Sequence, residues 1–177
     1  LAQTAGRDIG TGQTPPADPL ERRAAGRPEP ELNGTLRPTP PEQRLGWAVC
    51  GLGHFAQNYA IPAIARASEA KLTGLISGNR DKALGVASAW GVPEGSVYDY
   101  RMQALADNDA VHIVYVITPN AIHEENVIAA LEAGKHVFCE KPFAHNSAAA
   151  QRMMDAAKAA DRLLGVDLSY RHTEAMR

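Results

Sequence analysis

No apolar run in this 177-residue chain approaches the roughly 20 residues that a membrane-spanning helix needs, so no membrane partner is expected. Charge of one sign is lacking too. With 18 Lys and Arg against 20 Asp and Glu the formal net charge is −2, which argues against a surface for nucleic acid or another polyanion. Cysteine is scarce: Cys50 and Cys139 each close an apolar run. Their spacing fits neither a metal knuckle nor a redox pair, so the plain reading is two buried thiols, with no metal site and no indication of compartment. Aromatic residues are missing altogether from positions 1–44.

That aromatic-free stretch holds eight of the twelve prolines, and its six arginines are matched by six acids. Such a segment buries too little apolar surface to offset the entropy of ordering it, so residues 1–44 are expected to be an extended or disordered arm. On composition it reads either as a plain linker or as an arm laid on a cofactor or a neighbouring subunit. The chain starts at Leu1 rather than methionine, which points to a removed leader or a piece of a longer protein.

What is present begins at Leu45. An apolar run, Leu45 to Cys50, stops at Gly51-Leu52-Gly53 and passes at once into the amphipathic segment His54-Phe55-Ala56. This is a strand feeding a tight turn and a helix. The first glycine permits a backbone angle that costs other residues, and the second removes the side chain that would hold a pyrophosphate off the helix N-terminus. Unpaired N–H groups and the helix dipole favour an anion there. A tight turn also needs glycine without any ligand, so the pattern alone is not decisive.

From there strand and helix alternate. The strands are expected at Leu45–Cys50, Lys71–Ile76, Val97-Tyr98, Val111–Ile117, His136–Cys139 and Leu163–Leu168. Helices are expected from about His54 to Ala67 (kinked or cut by Pro62), then at Asp81–Trp90, Arg101–Ala106, Ala121–Ala133 and Ser147–Asp161. The run Val-His-Ile-Val-Tyr-Val-Ile is β-branched almost throughout, as in a strand buried on both faces. Six strands separated by helices, with right-handed crossovers, give an α/β fold with a doubly wound parallel sheet over residues 45–177. Thr173 reads as the cap of a further helix, so the domain is expected to continue into something longer.

Three constellations carry chemistry. Ser77-Gly78-Asn79-Arg80-Asp81-Lys82 follows the second strand, where an acid would bind the ribose hydroxyls of NAD; hydroxyl, amide, guanidinium and ammonium there suit a 2′-phosphate, so NADP is expected ahead of NAD. The bland alternative is a solvated turn in which Asp81 caps the next helix. Thr118-Pro119-Asn120 and His123 follow the most buried strand, at the sheet edge where ligands of this fold collect; alternatively Asn120 is only a helix cap and His123 a helix-surface residue. Glu140-Lys141-Pro142 ends the next strand. Lys141 there can hydrogen-bond a substrate hydroxyl, or help move its proton as hydride leaves; otherwise it is an exposed ion pair with Glu140.

Gly51-x-Gly53, Pro119-Asn120-x-x-His123 and the block Ala133-Gly134-Lys135-His136-Val137-x-Cys139-Glu140-Lys141-Pro142 stand in the order and spacing of the Gfo/Idh/MocA oxidoreductases, which the chain resembles over about residues 27–177. Ser77-Gly78-Asn79, Val97-Tyr98-Asp99-Tyr100, the stretch Gln151–Ala160 and a proline-rich arm are similar to a sugar-oxidising branch of that family. The resemblance implies a Rossmann NAD(P)-binding domain, with the α/β substrate domain that follows it in the family missing here. It implies Lys141 as the catalytic residue, beside the nicotinamide, and a bond before Pro142 that is often cis. It implies a cofactor site comprising Gly51, Leu52, Gly53, His54, Phe55, Ser77, Gly78, Asn79, Arg80, Lys82, Tyr100, Thr118, Pro119, Asn120, His123, Glu140, Lys141 and Arg171. It further implies a sugar or polyol as substrate, a homo-oligomer in the full-length protein, and an arm that covers the adenine; the arm and the likeness to an exported member lean towards the periplasm rather than the cytoplasm. His172-Thr173-Glu174-Ala175 departs from the sugar-oxidising branch. A non-catalytic dinucleotide-binding or redox-sensing module is the alternative reading.

Overall fold

The computed structural model describes residues 43–172. The expected arm and the Thr173 cap therefore lie outside the described residues, apart from Gln43 and Arg44. Six strands form one parallel sheet: β1 (Leu45–Cys50), β2 (Ala70–Ile76), β3 (Val97–Tyr98), β4 (Ile113–Val116), β5 (His136–Glu140) and β6 (Leu164–Asp167), in the spatial order β3-β2-β1-β4-β5-β6. The order reverses between β1 and β4. Crossovers leave that point in opposite directions, so the loops after these two strands splay apart and open a crevice at the carboxyl edge.

Side-chain alternation sorts the core into two layers. Ala48 and Cys50 of β1, Val114 and Val116 of β4, and Val137 and Cys139 of β5 face α3 (His123–Glu132) and α4 (Ser147–Ala160), which bury Val127, Ala130, Leu131, Met153 and Ala157 against them. Val49, Leu75 and Tyr115 point the other way, under Ala56, Ala60, Ile61 and Ile64 of the first helix and Ala83, Val86 and Ala87 of α2 (Arg80–Trp90). Each fully buried Leu, Ile or Val contributes about 1.5–3 kcal/mol, so these two layers hold the edge loops in place.

Element positions agree with the sequence reading to within a few residues, with three departures. The first helix is divided beside Pro62, by a change of winding rather than by a stop. A π-helical turn, Ala56–Ala60, runs straight into α1 (Ile61–Arg66), and the Ile61 N–H reaches back to Ala56 O. Pro62 has no N–H to give the preceding turn, and the wider turn absorbs the mismatch. Arg101–Ala106 is not a helix: only Gln103–Leu105 winds, as a 3-10 turn. Asp99 accepts from the Arg101 N–H and ties up its guanidinium, while Met102 turns left-handed (φ +56°) to bury its side chain. Finally, α2 is capped by Asn79, whose side chain accepts from Lys82 N at 2.9 Å, and not by Asp81, which lies in the first turn.

Candidate functional site

The strand register sets one level along the carboxyl edge. Cys50 pairs with Val116 and Val116 with Cys139, so the residues that follow lie side by side: Gly51 and Ile117 have just left their strands and Glu140 is the last residue of β5. Gly51 sits at φ +96°, and a Cβ there would lie 2.9 Å from Ile117 O and Thr118 N. Only glycine lets the first turn pass so close to the loop after β4. Gly53 has the opposite surroundings, with no atom within 4 Å of where its Cβ would be. Leu52 is buried beneath the turn; His54 and Phe55 are exposed, and Phe55 stacks on Tyr59 with ring centroids 5.6 Å apart.

A cleft of about 500 Å³ opens at this level, lined by Phe55, Thr118, Asn120, His123, Glu140 and Lys141 among others. The edge thus gathers residues from the first, fourth and fifth strand ends. His123 is no helix-surface residue: it is 1% exposed, with Nε2 2.7 Å from Thr118 O and Nδ1 3.1 Å from Pro142 O. It braces the loop after β4 against the loop after β5 across the cleft's inner wall. Asn120 caps nothing. It opens a 3-10 turn, Asn120–Ile122, and the helix behind it starts without a side-chain cap. Pro119 is exposed beside it. Lys141 is exposed, its Nζ 3.9 Å from Glu140 Oε2, and the Lys141–Pro142 bond is cis. Arg171 is exposed in the 3-10 turn Ser169–His172 and does not line the cleft, whereas Ser169 and Tyr170 of that turn do.

A second cleft, of about 540 Å³, lies between the ends of β2 and β3 and is lined by Ser77, Gly78, Arg80, Tyr98, Asp99 and Arg101 among others. Ser77 Oγ accepts from Asn79 N at 3.1 Å, and the Tyr100 ring lies against Gly78, where a Cβ would meet it at 3.0 Å. Arg80 reaches Glu94 at 3.2 Å and Arg101 reaches Asp99 at 2.8 Å, both in the open. Exposed pairs of this kind are worth little and give way readily to a stronger anion. Lys82 is exposed but does not line this cleft. Among the described residues no cluster of His, Cys, Asp or Glu could hold a metal ion, and no helix is long and apolar enough to cross a membrane.

The family model of the Gfo/Idh/MocA proteins, an oxidoreductase family with an NAD-binding Rossmann fold, matches residues 45–168. The chain belongs to the Gfo/Idh/MocA oxidoreductases. Among its relatives it is similar to a D-xylose 1-dehydrogenase [NADP(+)] of Haloarcula marismortui, 32% identical over 137 residues, covering 77% of this chain and 38% of that protein. Among solved structures it is similar to an aldose–aldose oxidoreductase from Caulobacter crescentus complexed with glycerol, at TM-score 0.72 and 38% identity over 75% of this chain and 40% of that one. A second is KijD10, a 3-ketoreductase from Actinomadura kijaniata in complex with NADP, at TM-score 0.67 and 30% identity over 75% and 41%. The chain thus spans about two fifths of the length of these relatives. It carries the NAD-binding Rossmann domain of this oxidoreductase family.

Beyond the family motifs, the Gfo/Idh/MocA edge holds residues that sequence reasoning passed over. Arg101 lines the second cleft. Tyr115 and Asp167 converge on Glu140, with the Tyr115 hydroxyl 3.1 Å from Glu140 Oε1 and 2.5 Å from Asp167 Oδ2. The available signal was a tyrosine inside a β-branched run and an acid closing an apolar strand, since buried hydroxyls and acids need partners.

Proposed function

We propose that this domain binds NADP and serves an oxidoreductase that moves hydride to or from a sugar or polyol, and that the 177-residue chain alone binds nucleotide without turning over sugar. The observation that carries the reading is the cleft of about 500 Å³ at the carboxyl edge, bordered both by Phe55 just past the glycine turn and by Lys141. The open space at Gly53 suits a diphosphate against the start of the first helix, where N–H groups lack partners. Ser77, Asn79 and Arg80 offer a hydroxyl, an amide and a guanidinium to a 2′-phosphate, and no carboxylate stands at the end of β2 to repel it. The KijD10 complex holds NADP, and the Haloarcula enzyme is named for NADP, which supports the same preference.

A bound nicotinamide supplies the hydride chemistry; the protein supplies position and charge. Lys141 Nζ orients the reacting hydroxyl or carbonyl by donating to its oxygen, and takes or returns the proton there. Glu140 holds the lysine's backbone, accepting from Lys141 N at 2.9 Å. His123 keeps the two loops at a fixed spacing, while Thr118 and Asn120 border the cofactor. The full-length protein is read as a homo-oligomer.

Titration of NADP and NAD against the fluorescence of Trp47 and Trp90, with the nicotinamide absorbance followed on adding sugars, tests both claims. Tighter binding of NADP with no sugar-dependent change is the expected result. Tighter binding of NAD would remove the role given to Ser77 and Arg80, and turnover by the isolated chain would refute its inactivity.

A further inference from the structure

We propose that Tyr115 and Asp167 are positioning residues for Lys141, acting through the Glu140 carboxylate; the inference rests on the catalytic reading of Lys141 given above. The three side chains come from three adjacent strand ends. Glu140 pairs with Asp167 across β5 and β6, so both carboxyl groups emerge on one face of the sheet. Tyr115 stands on the same face of β4, beside Phe138, and its ring is long enough to bring the hydroxyl up to both acids.

The ring has no freedom to leave. It meets the Trp47 ring edge-on at 6.4 Å and lies 5.1 Å from Phe138. Phe138 in turn lies over Gly165, where a Cβ would meet its ring at 3.1 Å. Tyr115 is 6% exposed and Glu140 9%, so these two are screened from solvent, while Asp167 is half-buried at the rim. Burial first, then the two acids beside it, hold the phenol protonated far above the ordinary tyrosine range. It therefore stays a hydrogen-bond donor at any working pH.

The phenol has one proton and two acids within donating distance. Whatever share Asp167 takes, Glu140 loses. The same Glu140 carboxyl group spends its other oxygen, Oε2, on Lys141 N at 2.9 Å and faces Lys141 Nζ at 3.9 Å. A carboxylate that receives less from the phenol carries more charge for the ammonium, and one that receives more carries less. Tyr115 and Asp167 thus set, from opposite sides, how strongly Glu140 holds the lysine that meets the substrate.

This arrangement predicts responses of opposite sign. Tyr115→Phe keeps the ring and its packing but removes the donor, so Glu140 draws the ammonium closer. Asp167→Asn removes the competing carboxylate, frees the phenolic proton for Glu140 and loosens its hold on the ammonium. The test is NMR of the 177-residue chain with its five lysines (Lys71, Lys82, Lys135, Lys141 and Lys158) carrying 13C-methyl groups. The Lys141 resonance is assigned by its loss in Lys141→Arg. It is expected to move in opposite directions in the two variants while the other four stay in place, and while NADP affinity changes by less than about twofold. A Lys141 signal that stays put in both folded variants, or moves the same way in both, overturns the inference. Should Tyr115→Phe fail to fold, Asp167→Asn and Asp167→Ala carry the test, and an unmoved Lys141 in either overturns it. Failure of NADP to bind the unmodified chain would instead sink the proposed function and leave the Lys141 shifts to be read on their own.

Discussion

Two glycines two residues apart do different work, and substitution separates them. At Gly51 an added methyl group meets backbone atoms of Ile117 and Thr118 at 2.9 Å, at a positive φ that alanine resists. Neither the strand end nor the loop after β4 can retreat cheaply, because Gly51 N donates to Ile76 O and Ile117 N to Cys50 O. Gly51→Ala is therefore expected to cost about 2 kcal/mol or more of stability, read as a lower urea midpoint. Gly53→Ala meets nothing in the protein and should leave that midpoint unchanged. Its methyl group occupies the space proposed for the diphosphate, so NADP affinity should fall about tenfold, a loss of about 1.4 kcal/mol, in a fluorescence titration. Equal midpoints for both variants would show that the turn after β1 is not the tight passage described.

At the scale of the elements, two helices start from asparagine caps with matching geometry. Asn79 accepts from Lys82 N at 2.9 Å at the start of α2, and Asn146 accepts from Ala149 N at 2.8 Å at the start of α4. Replacing either with alanine should cost about 1 kcal/mol of stability. Only Asn79→Ala should also weaken NADP, because its cap belongs to the loop beside Ser77 and Arg80; a matching loss of affinity in Asn146→Ala would detach that effect from the loop. Neither cap belongs to the sequence reading, whereas apolar runs and stop signals do. Strands β1, β4 and β5 show as apolar runs, α2 ends where Gly91 turns left-handed at φ +69°, and the edge motifs follow strands directly. What stayed hidden depends on residues distant in the chain. The sequence reading offers Asp81 as the cap of α2, and backbone geometry gives that place to Asn79. His123 looks like an ordinary first-turn residue until Thr118 O and Pro142 O close on it, and the Tyr115–Asp167 contact spans 52 positions. The left-handed Met102 follows from a core site that only the folded sheet creates.

For the whole molecule, the sheet that brings the site together also fixes its behaviour in alkali. Cys50, Val116 and Cys139 lie in one row across β1, β4 and β5, under the layer formed by α3 and α4. Burial there, and for Cys139 the nearby Glu140 as well, disfavours the thiolate; Cys139 is pushed up to about 12 and Cys50 is raised too. In the unfolded chain both thiols ionise near 9. Above that pH the unfolded state releases protons that the folded state keeps, so stability falls as pH rises. Each thiol contributes up to about 1.4 kcal/mol per pH unit until its folded value is reached. Tyr115, also raised, adds the same sign of dependence above about pH 10. Replacing Cys139 with alanine leaves a small cavity that costs stability at every pH, but it removes one ionising group from the alkaline balance. Urea midpoints at about pH 8 and about pH 10.5 should therefore fall less for Cys139→Ala than for the unmodified chain. Parallel falls would mean that the thiolate is tolerated inside the fold. In that case Cys139 should also react with a thiol reagent in the native protein near pH 8, where a closed sheet leaves it inert.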